Sequence, residues 1–282
     1  MLVLAKSALA LMVAFIISVV FGLILMNKLE WTDNLFIIMF VFLSYALLGF
    51  IDDFLIIKRH NNEGLTEIQK LIGQILIAVI FFFIFMKSGR QPVLDIHTLG
   101  IKINFGWFYG FFILFVLVAS SNAVNLTDGL DGLAGGLSAI AFLSFGIISF
   151  GSYWIAGSEE IGIFCFILVG ALLGFLVYNS YPAKVFMGDT GSLALGATLG
   201  SLAIITRHEL LLIIIGIVFV LETLSCVIQR VYYKFTKKRI FPMTPIHHTF
   251  EKLGWKEIDI VRLFWVIGLL GAMASIAFGV LL

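Results

Sequence analysis

The sequence predicts an all-α, polytopic membrane protein whose helices form a bundle. Of its 282 residues, 61% are hydrophobic and 12% are charged, and the mean hydropathy is +1.11. So little polar surface cannot cover a water-soluble globule. The apolar residues form continuous runs rather than short alternating segments, which favours membrane-spanning helices over a transmembrane barrel. No repeat or linker divides the chain, so we expect a single integral membrane domain over residues 1–282.

Apolar runs of about 20 residues, broken by polar residues, predict nine membrane spans. The predicted spans cover residues 5–26, 35–51, 70–87, 106–124, 134–156, 161–178, 192–206, 209–231 and 260–281. The run over 192–206 is the shortest of them. Between residues 93 and 103, apolar and polar residues alternate about Thr98–Gly100, which predicts a small hairpin on the outer face.

The charges of the connecting loops predict which side of the membrane each loop faces. Loops with Lys58, Lys184 and the basic block 234–239 alternate with loops that contain Asp33 and Glu159. Basic loops are cytoplasmic in most membrane proteins. The net charge of +1 gives no sign of a nucleic-acid partner, and we expect none.

Acidic residues mark three ends of predicted spans, and all three ends fall on the predicted cytoplasmic side. Asp52 and Asp53 end one span, Asp128 and Asp131 follow another, and Asp189 precedes a third. Carboxylates that converge at a membrane edge stay ionised only beside a cation. Magnesium prefers one or two carboxylates together with substrate phosphates, so the pattern predicts a magnesium site for a phosphate-bearing substrate.

Other interpretations of these acidic residues stay open from the residues alone. The Asp52-Asp53 pair is also typical of a solvated helix end, and Asp189 is also a candidate N-cap of the following span. The i, i+3 spacing of Asp128 and Asp131 places both on one face if their segment is helical, and a polar helix cap has the same composition.

The last polar loop and one apolar run add three further candidates. His247 and His248 follow Pro245 in a basic, aromatic loop, where imidazoles can donate hydrogen bonds to phosphate or transfer protons. No cysteine or third histidine lies nearby, which argues against zinc. Glu222 lies inside an apolar run, so it is either functional or paired with a neighbouring helix.

Four motifs together resemble the MraY family, the phospho-N-acetylmuramoyl-pentapeptide transferases. They are Phe50–Asp53, Asn122–Ala134, Phe186–Ser192 and Pro245–His248, and they occur in the family's order. The resemblance implies transfer of phospho-MurNAc-pentapeptide from its UDP carrier to undecaprenyl phosphate. The products are lipid I and UMP, and the reaction is the first membrane step of peptidoglycan synthesis. It also implies Mg²⁺, a multi-pass protein of the bacterial plasma membrane, a cytoplasmic active site beside the membrane lipid, and a homodimer.

The resemblance also implies roles for individual residues. Asp52, Asp53, Asp189 and His248 are the implied catalytic residues. Asp189 and Asp53 are the implied metal ligands, with Asp52 or Asp53 as the base for the lipid phosphate. Within the implied substrate site, Asp131 recognises the uracil base and Phe186 stacks on that base. The implied substrate-binding residues are Lys70, Asn122, Asn125, Asp128, Asp131, Asn179, Phe186 and His247.

The chain departs from the family pattern at three places, and two other functions compete. The family has ten spans and a basic loop between the first two, whereas residues 1–26 predict one span. Thr249 stands where the family has a third histidine, and Ile56 stands where it often has a lysine. Within the same superfamily, the alternative is a UDP-GlcNAc:polyprenyl-phosphate GlcNAc-1-phosphate transferase, which the loop around His247 disfavours. The other alternative is an ion-coupled transporter, but transporter sites lie near the midplane rather than at span ends.

Overall fold

The computed structural model describes residues 32–59, 64–96, 101–151 and 157–281. These ranges contain ten α-helices and one two-stranded sheet, so the all-α prediction is confirmed. The helices are α1 Asp33–Arg59, α2 Glu67–Lys87, α3 Tyr109–Thr127, α4 Leu133–Gly151, α5 Ser158–Asn179, α6 Gly188–Ile205, α7 Leu211–Ile215, α8 Ile217–Thr236, α9 Ile246–Lys252 and α10 Glu257–Ile276. The strands are β1 Val93–Ile96 and β2 Ile101–Asn104.

Six helical segments within the described ranges are long and apolar enough to cross a membrane. They are Asp33–Arg59, Glu67–Lys87, Gly106–Thr127, Leu133–Gly151, Ser158–Asn179 and Glu257–Val280. Each corresponds to one predicted span. The predicted span over 5–26 lies outside the described residues.

The two remaining predicted spans have a different structure from the one expected. The 192–206 run forms α6, an 18-residue helix that is not among the six segments apolar enough to cross a membrane. A single continuous span over 209–231 is wrong, because the helix is interrupted at Gly216, between α7 and α8. The carbonyl of Leu212 accepts the Gly216 N–H, which closes the last turn of α7.

Helix α6 lies at the centre of the bundle, between α1 and α3. Every residue from Thr190 to Ile205 is buried. Close approach depends on glycine: a Cβ on Gly196 would lie 2.3 Å from the Ser120 carbonyl of α3, and one on Gly49 of α1 would lie 2.2 Å from the Asp189 carbonyl. Small residues let membrane helices pack backbone to backbone. The Gly49 contact brings the end of α1 onto the start of α6.

The predicted hairpin is confirmed as an antiparallel pair, with Val93 opposite Asn104. Its turn, residues 97–100, lies outside the described residues. Arg207, just after α6, fastens the hairpin to the bundle: its guanidinium donates to the carbonyls of Val93 at 2.7 Å and Gln91 at 2.8 Å.

Candidate active site

The acidic residues about two turns before the end of α1 converge with the one at the start of α6, as the sequence predicts, although α1 continues beyond the predicted span to Arg59. One carboxylate oxygen from each of Asp52, Asp53 and Asp189 lies within 4.8 Å of the others. Asp52 and Asp53 are buried, and Asp189 is partly exposed. Three carboxylates this close repel one another strongly unless a cation compensates them.

Lys70, in the first turn of α2, supplies one positive charge to this cluster. Its Nζ lies 2.5 Å from Asp189 Oδ2 and 3.4 Å from Asp52 Oδ2. A single ammonium therefore compensates part of the charge of three carboxylates. The oxygen-only donor set and the remaining negative charge fit a hard divalent cation.

Asp189 is held at both of its oxygens. Asn125, near the end of α3, donates its amide hydrogens to Asp189 Oδ1 at 2.8 Å and to Ser192 Oγ at 2.9 Å. Lys70 contacts the other oxygen. The carboxylate is therefore oriented by two helices besides its own.

Asp53 caps α6 from a different helix. Its Oδ2 accepts hydrogen bonds from Thr190 N at 3.0 Å and Thr190 Oγ1 at 2.6 Å, and its Oδ1 accepts one from Asp189 N at 3.3 Å. The first N–H groups of a helix have no partner within the helix, and a carboxylate there is favoured by the helix dipole. The N-cap interpretation of Asp189 is wrong, because Asp189 lies inside the first turn of α6.

The segment before Asp189 needs glycine at position 188. Gly188 has φ +67°, which L residues rarely adopt, and a Cβ there would lie 2.8 Å from Asp53 Oδ2. The glycine therefore serves both the backbone turn and the close approach of Asp53.

Asp52 ties the connection between α1 and α2 to the cluster. Its Oδ1 accepts a hydrogen bond from Leu65 N at 2.6 Å, and its Oδ2 faces Lys70. The solvated-helix-end interpretation is wrong for Asp52, since the residue is buried and bonded on both sides.

The glycine-rich segment after α3 is a turn rather than a helix. Helix α3 ends at Thr127 and α4 begins at Leu133, so the one-face argument for Asp128 and Asp131 does not apply. Asp131 Oδ2 accepts a hydrogen bond from Ala183 N at 2.8 Å. The turn is thereby joined to the loop between α5 and α6.

Two more side chains fix this turn. Asn179, the last residue of α5, accepts a hydrogen bond from Gly132 N at 3.1 Å and donates one to the Val185 carbonyl at 2.8 Å. Glu257, the first residue of α10, accepts one from Asp131 N at 2.7 Å. Sequence reasoning missed Glu257, because an acidic residue at a helix start is ordinarily explained by the helix dipole.

A cavity of about 460 Å³ opens beside the acidic cluster. Of the predicted site residues, it brings together Asn125, Asp128, Asp131, Asn179, Phe186 and Asp189. Phe186 is 46% exposed, so its ring is accessible at the cavity. Burial raises the pKa of Asp128 to about 7, and the charges of Asp189 and Asp53 add to this rise.

Asn122 does not line this cavity. Its amide donates hydrogen bonds to Gln74 Oε1 at 2.9 Å and to the Val118 carbonyl at 2.8 Å, one helical turn before Asn125. In the structure it therefore joins α3 to α2.

The two histidines lie behind the turn, and their environments differ. His247 is fully buried with Nδ1 3.1 Å from Oε2 of the fully buried Glu222. Glu222 therefore pairs with a residue of the short helix α9 rather than with a neighbouring span. A Cβ on Gly129 would lie 2.4 Å from His247 Nε2, so this imidazole packs directly on the turn. His248 is more exposed, and its Nδ1 lies 2.5 Å from Glu251 Oε2.

Known transferases are similar to this chain over most of its length. The glycosyl transferase family 4 pattern matches residues 35–207. A phospho-N-acetylmuramoyl-pentapeptide-transferase of Geobacillus sp. is 48% identical over 266 residues, which are 94% of this chain and 81% of the relative. The same-named protein of Geobacillus thermodenitrificans is 51% identical over 241 residues, 86% of this chain and 73% of the relative. The chain belongs to the phospho-N-acetylmuramoyl-pentapeptide transferase family.

A third member of that family shows equally broad similarity. The relative from Oceanobacillus iheyensis is 48% identical over 268 residues, 94% of this chain and 81% of its own length. The family resemblance that the four sequence motifs indicate is confirmed. The chain is a phosphoglycosyl transferase and a multi-pass bacterial membrane protein, which decides against the ion-coupled transporter.

Proposed function

We propose that this transferase moves phospho-MurNAc-pentapeptide from UDP-MurNAc-pentapeptide to undecaprenyl phosphate, releasing UMP and forming lipid I. The observation that carries the assignment is the convergence of Asp52, Asp53 and Asp189 beside a cavity that holds the predicted nucleotide residues. The names of the relatives favour the muramoyl-pentapeptide substrate over the GlcNAc-1-phosphate alternative.

The acidic cluster is proposed to hold one Mg²⁺, with Asp189 and Asp53 as its ligands. An ion held by these two carboxylates would supply positive charge to the pyrophosphate of the substrate. Asp189 is the stronger candidate, because Lys70 and Asn125 fix it while leaving it partly exposed to the cavity. Asp53 accepts hydrogen bonds at both oxygens from the start of α6. Its main role is therefore to position Asp189, and metal binding is secondary.

Asp52 is proposed as the base that accepts the proton of the lipid phosphate. Among the described residues, one of its oxygens accepts a backbone hydrogen bond, and the other faces the Lys70 ammonium at 3.4 Å. Asp53 is less suited to proton transfer, since Thr190 and the Asp189 N–H occupy it. Phosphoryl transfer depends mainly on positioning and charge neutralisation, and these residues supply both.

The nucleotide side of the site is proposed to be the 460 Å³ cavity. Asp131 uses one oxygen to hold Ala183 N, which leaves the other for the N–H of uracil. Phe186, half exposed at the cavity, is placed to stack on the base. Asp128 and Asn179 complete the polar wall. Asn122, His247 and His248 are proposed to act from outside this cavity, the histidines on the muramoyl-peptide part.

The proposal also covers the side of the membrane on which the active site lies and the oligomeric state of the enzyme. The basic loops near the acidic cluster favour a cytoplasmic active site, where the lipid phosphate meets a soluble nucleotide. A homodimer follows from the family resemblance.

The test uses purified protein in detergent with undecaprenyl phosphate and magnesium, offered UDP-MurNAc-pentapeptide and UDP-GlcNAc in parallel. We expect UMP release with the muramoyl substrate alone. Asp189→Asn should reduce this release by at least about 10³-fold, because the charge on the proposed metal ligand is lost. The matched control is Asp259→Asn, which should retain activity, because Asp259 is an exposed acidic residue in the first turn of α10. Full activity of Asp189→Asn would remove that residue from the site, and release with UDP-GlcNAc would select the alternative substrate.

A further inference from the structure

The C-terminal end of α8 leaves the bundle and is exposed from Arg230 onwards. Residues near its start, such as Phe219 and Glu222, are buried, whereas every residue of 230–240 is exposed. The helix nevertheless continues for its full 20 residues. An exposed helical extension in a membrane protein needs a medium that satisfies both its apolar and its charged side chains.

Exposed apolar side chains form one stripe along this helix. They recur at intervals of three and four residues, the spacing of one helical face. The stripe consists of Leu221, Leu224, Ile228, Val231 and Phe235, flanked by Val227 and Tyr232. Phe235 is the most exposed of them, at 79%.

Basic residues lie beside the stripe and at the end of the helix. By helical spacing Arg230 and Lys234 lie outside the stripe, on one side of it, and Lys237, Lys238 and Arg239 follow directly after the helix. The sequence has no acidic residue between Glu222 and Glu251. Within the described part of the chain, no carboxylate forms an ion pair with any of these five cations.

We propose that the segment 227–239 lies in the membrane–water interface and binds the headgroups of anionic phospholipids. An apolar stripe that includes phenylalanine and is flanked by tyrosine, with basic residues beside it and at the helix end, is the pattern of an interfacial amphipathic helix. A soluble polyanion explains the cations but leaves the exposed stripe without a partner. A neutral bilayer covers the stripe but leaves five uncompensated cations, so an anionic lipid surface is the occupant that satisfies both.

This placement goes beyond the proposed reaction and concerns how the enzyme sits in its leaflet. The segment leads directly into the loop that carries His247. Gln229 joins the two by accepting hydrogen bonds from Ile240 N at 2.9 Å and Phe241 N at 3.1 Å. An anchored helix therefore holds that loop at the headgroup level.

The test compares lipid retention by native mass spectrometry. The full-length protein is exchanged into micelles that contain phosphatidylglycerol and phosphatidylcholine in equal amounts. The variant carries Lys234→Gln, Lys237→Gln and Lys238→Gln. Its matched control carries Lys184→Gln, Lys252→Gln and Lys256→Gln, three exposed lysines whose replacement removes the same charge.

We expect the wild type and the control to retain phosphatidylglycerol in preference to phosphatidylcholine. In the test variant, the ratio of retained phosphatidylglycerol to phosphatidylcholine should fall at least about tenfold. A basic residue near an anionic surface strengthens the attraction about fivefold. The preference should also decrease in 1 M salt. Three results would overturn the proposal. The wild type and the test variant could retain phosphatidylglycerol equally, the control could lose as much of the preference as the test variant, or the wild type could show no preference.

A second arm replaces phosphatidylglycerol by a polyprenyl phosphate. If the test variant loses only polyprenyl phosphate, the cations recognise the lipid substrate and the phospholipid proposal is wrong. Thermal unfolding of both triple variants verifies that the fold is unchanged, because exposed lysines contribute little to stability.

Discussion

Individual side chains in the acidic cluster differ in what they contact, and these contacts separate their roles. Asp189 is oriented by Lys70 and Asn125, whereas Asp53 is bonded to the start of α6. Lys70 is the one cation that contacts the carboxylates within the described part of the chain. It therefore lies where a divalent ion is expected to compete with it.

Replacing Lys70 by glutamine should have opposite effects on cation binding and turnover. The variant removes the ammonium from two carboxylates, so we expect Mn²⁺, used as a probe, to bind about tenfold more tightly, equivalent to about 1.4 kcal/mol. UMP release should fall, since Asp189 loses one of its two orienting contacts. Electron paramagnetic resonance measures free Mn²⁺, and Lys184→Gln is the control. Unchanged Mn²⁺ affinity would show that Lys70 does not compete with the ion.

The buried His247–Glu222 pair should contribute more than the exposed His248–Glu251 pair. Glu222→Ala leaves a fully buried imidazole without its carboxylate, and we expect a loss of about 1–3 kcal/mol in the free energy of unfolding, with reduced UMP release. Glu251→Ala removes the equivalent partner at a site that is 39% exposed, and should cost less than about 1 kcal/mol. Denaturant titration of both variants measures the difference. Equal costs would mean that burial does not distinguish the two pairs.

Helix α6 shows how one element organises the site. It is too rich in glycine, serine and threonine for a lipid-facing helix, and this composition lets α1 and α3 approach it closely. The approach of α1 brings Asp53 to the first N–H groups of α6. The cap therefore depends on helix packing, and Asp189 is placed by the same contact.

Removing the Thr190 hydroxyl should weaken this cap. Thr190→Val keeps the side-chain shape but removes the hydrogen bond to Asp53, so we expect a loss of about 1 kcal/mol, or roughly 2–4 °C in Tm, and a lower kcat. Thr198→Val is a matched control in the same helix, because Thr198 is equally buried but donates to the Ala194 carbonyl within α6 rather than to another helix. Differential scanning fluorimetry measures both. If Thr198→Val loses as much as Thr190→Val, the interhelix cap has no special effect.

In the whole molecule, the helix ends at the site and the hairpin lie at opposite ends of the bundle. Helices α1, α3 and α5 end at the site, and α2, α4, α6 and α10 begin there. The hairpin joins the far end of α2 to the far start of α3. If the basic loops face the cytoplasm, the hairpin faces outward.

This orientation is tested by cysteine labelling in intact cells. In a background without Cys165 and Cys226, we expect a membrane-impermeant maleimide to label Lys102→Cys in the hairpin and not Lys184→Cys in the loop before α6. Both lysines are exposed in the structure, so access depends on the side of the membrane. Permeabilised cells provide the control in which both positions are labelled. The reverse pattern would place the acidic cluster outside the cell.

The sequence by itself determined the class of protein, six of the spans, the hairpin and the residues of the acidic cluster. Hydropathy predicts spans because a backbone in hydrocarbon must satisfy its hydrogen bonds locally, within a helix. The cluster was predictable because carboxylates at three span ends are costly unless they share a cation. The motif resemblance also identified the family.

Only the tertiary structure decided how these parts meet. Hydropathy cannot distinguish a helix surrounded by lipid from one surrounded by protein, so the central position of α6 and the interruption at Gly216 were not predictable. Asp53 capping another helix, Lys70 pairing with Asp189 and Glu257 holding the turn all join segments far apart in sequence. Such contacts depend on which helices pack together, and that packing is decided by close approach of small residues across the bundle.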